Sequence, residues 1–439
     1  MDKQMNLLDM DVKEAALGFG DDEWEPPSSF PDLTGYDRIA IDLETRDPNL
    51  TKLGPGWCRN DGYVIGYAVA AGDFVGYYPI RHEKGNLPEK AVVNWLKKQM
   101  ATPNIEKVMH NAMYDLGWMR WAGIEVQGPI IDTMIAAPLL NENRRFYNLN
   151  SLTGEYLGEY KNEKMLRAAA AMYHVDPKSD MWMLPSKFVG SYAEQDAAVT
   201  LRLWDRLRVD IKQDEVTSIF ELESSLLPVL LEMKTKGVRV DIDRAEQIQI
   251  ELGKREKELL KEIRSDTGVA VEPWSAASVA KAFDALGLKY HRTENTDAPS
   301  FTKQFLNNHT HPIAQKIVKL REFNKANTTF VETILEHSCN GRIHCDFNPL
   351  RSDEGGTVTG RFSSSHPNLQ QIPARDPEIK SMIRGLFLPE EGMKWGSFDY
   401  ASQEPRWLAH YCAQLTGVNR HPQIDTVVEM YKEGNADFH

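Results

Sequence analysis

Hydrophobic and polar positions alternate along Tyr36-Asp37-Arg38-Ile39-Ala40-Ile41-Asp42-Leu43-Glu44-Thr45-Arg46. A period of two predicts a strand with Ile39, Ile41 and Leu43 on one face and Asp42 and Glu44 on the other. The apolar face suits a sheet interior. The other carries two carboxylates side by side, which repel unless a cation or a proton sits between them. A half-exposed edge strand with a solvated acidic face would show the same pattern. Residues 63–70 and 74–80 predict two more strands, joined as a hairpin around Ala71-Gly72-Asp73. Pro88 then opens a helix with Val92, Trp95, Leu96 and Met100 on one face. Lys107-Val108-Met109 reads as a short strand running into His110-Asn111-Ala112-Met113-Tyr114-Asp115. Ile130-Ile131-Asp132-Thr133 caps another helix. A polar stretch is expected as far as about Pro185, followed by a long helix from Tyr192 to about Val209. On that helix Tyr192 and Asp196 are four residues apart and share a face.

After Val209 the pattern is helical. The run from Phe220 to Met233 is amphipathic with a kink expected at Pro228. Gly237 ends it, and Val238-Arg239-Val240-Asp241 leads into a second helix from about Asp243 to Ile263. There Lys254, Arg255, Lys257 and Lys261 interleave with Glu251, Glu256, Glu258 and Glu262, which reads as a solvated, ion-paired face. Lys316, Lys319, Arg321 and Lys325 are more uniformly basic and are better candidates for phosphate contacts.

Composition narrows the class. A chain of 439 residues predicts two or three domains, and 41% hydrophobic with 26% charged residues is ordinary for a soluble protein. No apolar run approaches a membrane span and no basic-then-apolar leader opens the chain, so no membrane association is expected. Cys58, Cys339, Cys345 and Cys412 are scattered without zinc spacing, which fits a reducing, cytoplasmic setting. The net charge of −13 argues against non-specific coating of nucleic acid, though a local basic groove would suffice for phosphate contacts. Residues 1–34 are acidic, end in Pro26-Pro27-Ser28-Ser29 and read as a disordered tail.

Three acidic elements follow in order: Asp42-x-Glu44 on a strand, Asp115 at a helix start, and Tyr192-x-x-x-Asp196 on a helix. Singly, Asp115 reads as a cap and Asp196 as a solvated position, while Tyr192 could be a core-edge aromatic. Jointly, their order and spacing resemble the proofreading 3′–5′ exonucleases of the DEDD superfamily, in the subgroup with Tyr as fifth residue. The resemblance spans about Tyr36 to Val209. It implies an α/β, ribonuclease-H-like domain with a mixed sheet and flanking helices. It also implies two Mg²⁺ (or Mn²⁺) ions: Asp42, Glu44 and Asp196 hold the first, and Asp42 bridges to a second that Asp115 supports through water. Tyr192 orients the attacking hydroxide, and Asn111 lies against DNA.

A second resemblance covers about Glu221 to His439. The loop Thr359-Gly360-Arg361-Phe362-Ser363-Ser364-Ser365-His366-Pro367-Asn368-Leu369-Gln370-Gln371-Ile372-Pro373-Ala374-Arg375 could track a duplex backbone, or be an ordinary surface loop. It is similar to the palm-entry loop of family A DNA polymerases, which implies that Arg361, Asn368, Gln370 and Arg375 lie near primer–template DNA. Lys394-Trp395-Gly396-Ser397-Phe398 predicts an apolar strand ending in Asp399, with Ser402 as N-cap of the next helix. Asp399-Tyr400-Ala401-Ser402-Gln403-Glu404-Pro405-Arg406 resembles motif A of that family, although Ala401 and Ser402 depart from it. The resemblance implies a magnesium ligand in Asp399 and nucleotide contacts from Tyr400 and Glu404.

The expected organisation is a tail (1–34), an exonuclease domain (35–209), a helical thumb (210–340) and a partial α+β palm (341–439). Neither a fingers helix nor a second palm carboxylate is recognised. The expectation is therefore the N-terminal portion of a phage or bacterial polymerase, its synthesis depending on a second chain. Gln4-Met5-Asn6-Leu7-Leu8 resembles short peptides that bind sliding clamps. Two other readings are a stand-alone ribonuclease of the ribonuclease D type and a DNA-holding docking subunit.

Overall fold

The alternation around Asp42 is realised as a strand at the centre of a sheet. β1 (Arg38–Arg46) buries Ile39, Ala40, Ile41 and Leu43 and leaves Asp42 and Glu44 half-buried. The computed structural model describes residues 24–353, 355–374 and 376–434; Gln4–Leu8 and Arg375 lie outside the described residues. β2 (Tyr63–Ala71) and β3 (Phe74–Pro79) form an antiparallel hairpin on one side of β1. β4 (Glu106–Met109) and β5 (Ile130–Asp132) continue the sheet on the other side in parallel. The described residues thus form a five-stranded mixed sheet in the order β3-β2-β1-β4-β5. Pairing skips Ile65 between Glu44↔Gly66 and Thr45↔Val64, so the extra residue of this bulge belongs to β2. Along β1 the period of two is unbroken, and Asp42, Glu44 and Arg46 share one face.

Helices cover the sheet: α1 (Glu89–Met100), α2 (Ala112–Trp121), α3 (Thr133–Leu140), α4 (Leu149–Tyr156), α5 (Lys164–Tyr173) and α6 (Gly190–Gln213). The longest, α6, packs across β1, β2, β3 and β4 and buries Tyr192, Ala193, Asp196 and Ala197. The expected polar stretch before Pro185 holds α4 and α5. Leu149 and Leu152 in α4, and Leu166, Ala169 and Ala170 in α5, are buried at helical spacing. Asn148 caps α4 by accepting from the Ser151 N–H at 3.0 Å.

Of the stretch assigned to a tail, residues 1–23 lie outside the described residues, and residues 30–33 are packed on the fold. Leu33 is buried and its N–H donates to Gln99 Oε1 at 2.9 Å, Phe30 stacks on Tyr78, and the Trp95 indole donates to the Pro31 carbonyl at 2.7 Å. The acidic count hid two apolar anchors in this stretch, Phe30 and Leu33.

α7 (Thr217–Lys236) runs through Pro228 and ends at Gly237, whose φ of 62° suits a residue without a Cβ. Its Leu227 and Leu231 join the core of the five-stranded sheet. Val238–Val240 pairs antiparallel with Arg342–Ile343 and with Phe387–Leu388. α8 (Ile242–Thr267) and α9 (Pro312–Lys325) pack together, each facing further apolar clusters. On α8, Arg255 pairs with Glu251 at 2.6 Å and Lys254 with Glu258 at 4.0 Å, as its charge pattern suggested. The basic run on α9 is engaged in internal contacts. Lys316 is held by Glu262 and Asp266 at 2.9 and 2.8 Å, and Lys319 by Glu322 and Asp376 at 3.5 and 3.6 Å. Arg321 donates to the carbonyls of Pro273 and Phe301, both at 2.7 Å. Three of the four cations are spent on internal contacts.

Residues from Pro389 onward form a separate unit. In it α10 (Gln403–Gln414) and α11 (Ile424–Lys432) pack through Ala409, Ile424 and Tyr431, with Arg406 over the Tyr431 ring at 4.9 Å. The strand expected before Asp399 does not form: residues 393–400 are exposed and without strand pairing, Phe398 almost fully so. Ser402 takes the expected N-cap position of α10, but with φ of 52° and without a side-chain capping bond.

Candidate active site

Three of the foreseen carboxylates, from two of the three elements, meet at the centre of the sheet. Asp42 and Glu44 come from β1 and Asp196 from α6, and ligand oxygens from the three lie within 4.8 Å of one another. Among the described residues this is the one group of three or more potential metal ligands. Asp115, in the first turn of α2, stands just outside the trio. Its Oδ1 accepts the Leu43 N–H at 3.2 Å, tying α2 to the strand between Asp42 and Glu44.

That first turn of α2 is itself held from β5. Asp132 accepts from the N–H groups of Asn111 and Ala112, at 3.0 and 2.8 Å, while capping α3 through the Met134 N–H at 2.8 Å. Asn111 takes a left-handed backbone with φ of 70°. The cap reading of Asp132 therefore holds, and the same carboxylate also positions the helix that carries Asp115. Burial pushes the Asp132 carboxyl up to about 6, against the pull of those backbone donors.

Burial raises every acid in the cluster, and for Asp42, Glu44 and Asp115 neighbouring carboxylates add to it. Burial, then the charge of Asp196, pushes Asp42 up to about 7, opposed by Lys161. Burial, then Asp42, raises Glu44 and Asp115 well above the carboxylate range. Asp196 is also raised by burial, although Lys161 and the Tyr192 hydroxyl pull it down.

Lys161 was not anticipated. Its Nζ reaches Asp196 Oδ2 at 2.6 Å and lies 5.5 Å from the centre of the Tyr192 ring. Burial works against its charge, but Asp196, Asp42 and Glu44 outweigh burial and hold the ammonium above its ordinary range. No spacing rule marks this residue, because it sits in the loop between α4 and α5 that sequence reading left as featureless. One ammonium cannot balance three carboxylates, and Asp196 Oδ1 is buried with no partner in hydrogen-bonding geometry. An all-oxygen donor set with net negative charge and an orphaned buried oxygen fits a hard divalent cation.

Tyr192 is buried one turn before Asp196. Burial, then Glu44, Asp196 and Asp42, raises its phenol well above the usual value. It is therefore a neutral O–H donor and not a base.

The residues singled out in the later loop make local contacts. Asn368 Oδ1 accepts from the Gln370 N–H at 3.0 Å, and Gln370 Nε2 donates to the Phe362 carbonyl at 2.9 Å. Arg361 is exposed, and its carbonyl accepts from Thr357 Oγ1 at 2.8 Å. Asp399, Tyr400 and Glu404 are exposed in the second unit, and Asp399 belongs to no group of three potential ligands among the described residues.

Comparison with known proteins gives two family matches. Residues 28–212 match a 3′-5′ exonuclease family, and residues 242–419 match DNA polymerase family A. A DNA-directed DNA polymerase of Pseudomonas phage M6 is 41% identical over 406 residues, covering 89% of this chain and 61% of the relative. The DNA polymerase DpoZ of Vibrio phage phiVC8 is 31% identical over 423 residues, covering 89% of this chain and 64% of the relative. The chain spans less than two thirds of the length of these relatives. The polymerase domain of Pol1 from M. smegmatis, solved with DNA primer-template and dNTP, superposes with a TM-score of 0.65 at 20% identity. That likeness covers 94% of this chain and 70% of the other, and it concerns the fold.

Proposed function

We propose that the chain, whose residues 28–212 match a 3′-5′ exonuclease family and whose residues 242–419 match DNA polymerase family A, removes nucleotides one at a time from the 3′ end of DNA. The observation that carries this reading is the meeting of Asp42, Glu44 and Asp196 within 4.8 Å beside a buried Tyr192.

Asp42, Glu44 and Asp196 would hold one divalent cation, Mg²⁺ or Mn²⁺, with Asp42 and Asp115 serving a second. When bound, the cations lower the pKa of the attacking water and neutralise charge on the phosphodiester. Tyr192, kept protonated, donates a hydrogen bond that orients the attacking oxygen. Lys161 steadies Asp196 and supplies positive charge beside the phosphate. Asp132 and Asn111 fix the first turn of α2, so Asp115 keeps its place by the strand.

In this reading Asp399 is a magnesium ligand for templated synthesis, and Tyr400 and Glu404 contact the incoming nucleotide. Arg361, Asn368 and Gln370 line the duplex. A second chain bringing the fingers and another palm carboxylate, and a sliding clamp held by Gln4–Leu8, are further parts of the proposal. All of this chemistry belongs to the cytoplasm, where DNA is copied. Among the described residues no helix is long and apolar enough to cross a membrane.

What favours DNA over the RNA of a ribonuclease D-type enzyme is the polymerase segment in the same chain. What favours catalysis over a passive docking role is the complete carboxylate set. Side-by-side hydrolysis of matched DNA and RNA single strands in Mg²⁺ tests the first choice: DNA is expected to be shortened faster, and an RNA preference would reverse it. Tyr192→Phe should slow removal by about 10²-fold, the loss of one oriented donor, while the Mg²⁺ concentration for half-activity stays near the wild-type value. Unchanged kinetics would remove Tyr192 from the mechanism.

A further inference from the structure

Next to the carboxylates, guanidinium groups and aromatic rings alternate. Arg46 Cζ lies 5.2 Å from the Trp182 ring centre and 5.7 Å from that of Tyr63. Arg81 Cζ lies 5.3 Å from the same Tyr63 ring and 5.5 Å from that of Trp121. The order is therefore Trp182, Arg46, Tyr63, Arg81, Trp121, and all five side chains are half-buried, with part of each open to solvent.

The series starts at the metal-binding face. Arg46 follows Glu44 by two residues on β1 and shares its face, and Tyr63 is the cross-strand partner of Arg46. Trp182 sits in a short turn (Met181–Met183) packed on β1. Just ahead of that turn, the charge of Lys178 acts on both Glu44 and Asp196.

The two arginines differ in how they are held. Arg81 is tied to Glu89 by hydrogen bonds of 2.9 and 2.6 Å. Arg46 makes no ion pair and no side-chain hydrogen bond among the described residues; its guanidinium lies against the rings of Trp182 and Tyr63. A guanidinium carries five N–H donors in a planar fork that matches phosphate oxygens. Fixed between two rings beside an acidic site in a chain of net charge −13, it is available to an anionic ligand.

We propose that this series is a rail for single-stranded DNA leading to the carboxylate site, with Arg46 gripping a backbone phosphate and the ring faces stacking bases. The inference rests on the exonuclease reading and deepens it by assigning the path of the strand. Alternating cations and aromatic faces suit a strand of any sequence, because every nucleotide offers a phosphate and a π-face. That is what removal of any 3′-terminal nucleotide requires.

The test is binding of a fluorescein-labelled oligothymidylate by the full chain in EDTA, where no hydrolysis occurs. Excess unlabelled blunt duplex occupies any duplex site, and anisotropy is followed from 50 to 200 mM KCl. Arg46→Ala should weaken binding about 10-fold and reduce the salt slope by about one. Arg46→Lys should keep the slope but recover only part of the affinity, since the charge is retained and the planar fork is lost. Arg81→Ala should also weaken binding. Melting curves confirm that each variant is folded, and Arg46→Lys gives the conservative comparison if Arg46→Ala is not. Wild-type affinity and slope in the Arg46 variants, or no single-strand binding by the wild type, would overturn the rail. Binding that depends on Arg46 in a chain that never shortens DNA would keep the rail and refute the exonuclease reading.

Discussion

Asp42→Asn is expected to cut the rate of 3′-terminal nucleotide removal by about 10²–10³-fold, and at the same time to raise the melting temperature of the metal-free protein at pH 8. The rate falls because one of the carboxylates that would hold the cation is lost, and with it part of the positive charge that neutralises the phosphodiester. The stability rises for an electrostatic reason. The Asp42 carboxyl is pushed up to about 7, chiefly by burial and then by Asp196. Between its ordinary value of 3.8 and about 7, the folded protein binds more protons at this position than the unfolded chain does. Stability is therefore lost as pH rises through that window, and it stays lost above it. Asparagine carries no such penalty. Saturating Mg²⁺ should reverse the order, because a cation that binds only the folded wild type stabilises it by mass action. Calorimetry at pH 5 and pH 8, in EDTA and in Mg²⁺, separates these contributions. Identical pH profiles for the two proteins in EDTA would show that Asp42 is not in a repulsive cluster.

Lys161→Met should do the opposite to the metal-free protein. Lys161 and Asp196 are a buried pair, with side chains 13% and 5% exposed. Removing one partner of such a pair leaves the other charge uncompensated and costs about 3–5 kcal/mol. A fall of several degrees in melting temperature is expected in EDTA at pH 8. In saturating Mg²⁺ the deficit should shrink, since the cation then supplies the charge that the ammonium supplied. Half-saturation by Mg²⁺ should also move to a lower concentration, because nothing then competes for Asp196 Oδ2. A variant that melts like the wild type in EDTA would mean that Lys161 is not the counter-charge of the cluster.

The legible part of the site was the part written in periodicities. Ile39, Ile41 and Leu43 against Asp42 and Glu44 could only be a strand with one acidic face, and the structure buries it accordingly. Tyr192 and Asp196 at helical spacing likewise arrive on one side of α6. Lys161 was illegible because its role depends on where a loop closes in space, which no local spacing encodes. Arg46 was in plain view at the end of the acidic strand, yet its ring partners Tyr63 and Trp182 come from a neighbouring strand and a distant turn.

The errors have physical causes as well. The internal contacts of Lys316, Lys319 and Arg321 were not legible because acidic and carbonyl partners of these side chains lie on other elements. The acidic charge of residues 1–34 masked Phe30 and Leu33, two apolar side chains sufficient to seat the end of that segment on the sheet. Ahead of Asp399, an apolar composition alone did not make a strand, since no partner strand is supplied among the described residues.

The most direct test of the central claim is to follow a 5′-labelled single-stranded oligodeoxynucleotide with the wild-type chain in Mg²⁺ and resolve the products by length. The expected result is a series of labelled fragments shortening one nucleotide at a time from the 3′ end, absent in EDTA and in Asp42→Asn. Early release of a labelled mononucleotide, internal cuts at fixed positions, or an unchanged oligonucleotide in Mg²⁺ would contradict the assignment of Asp42, Glu44, Asp115, Tyr192 and Asp196 as a 3′–5′ exonuclease site.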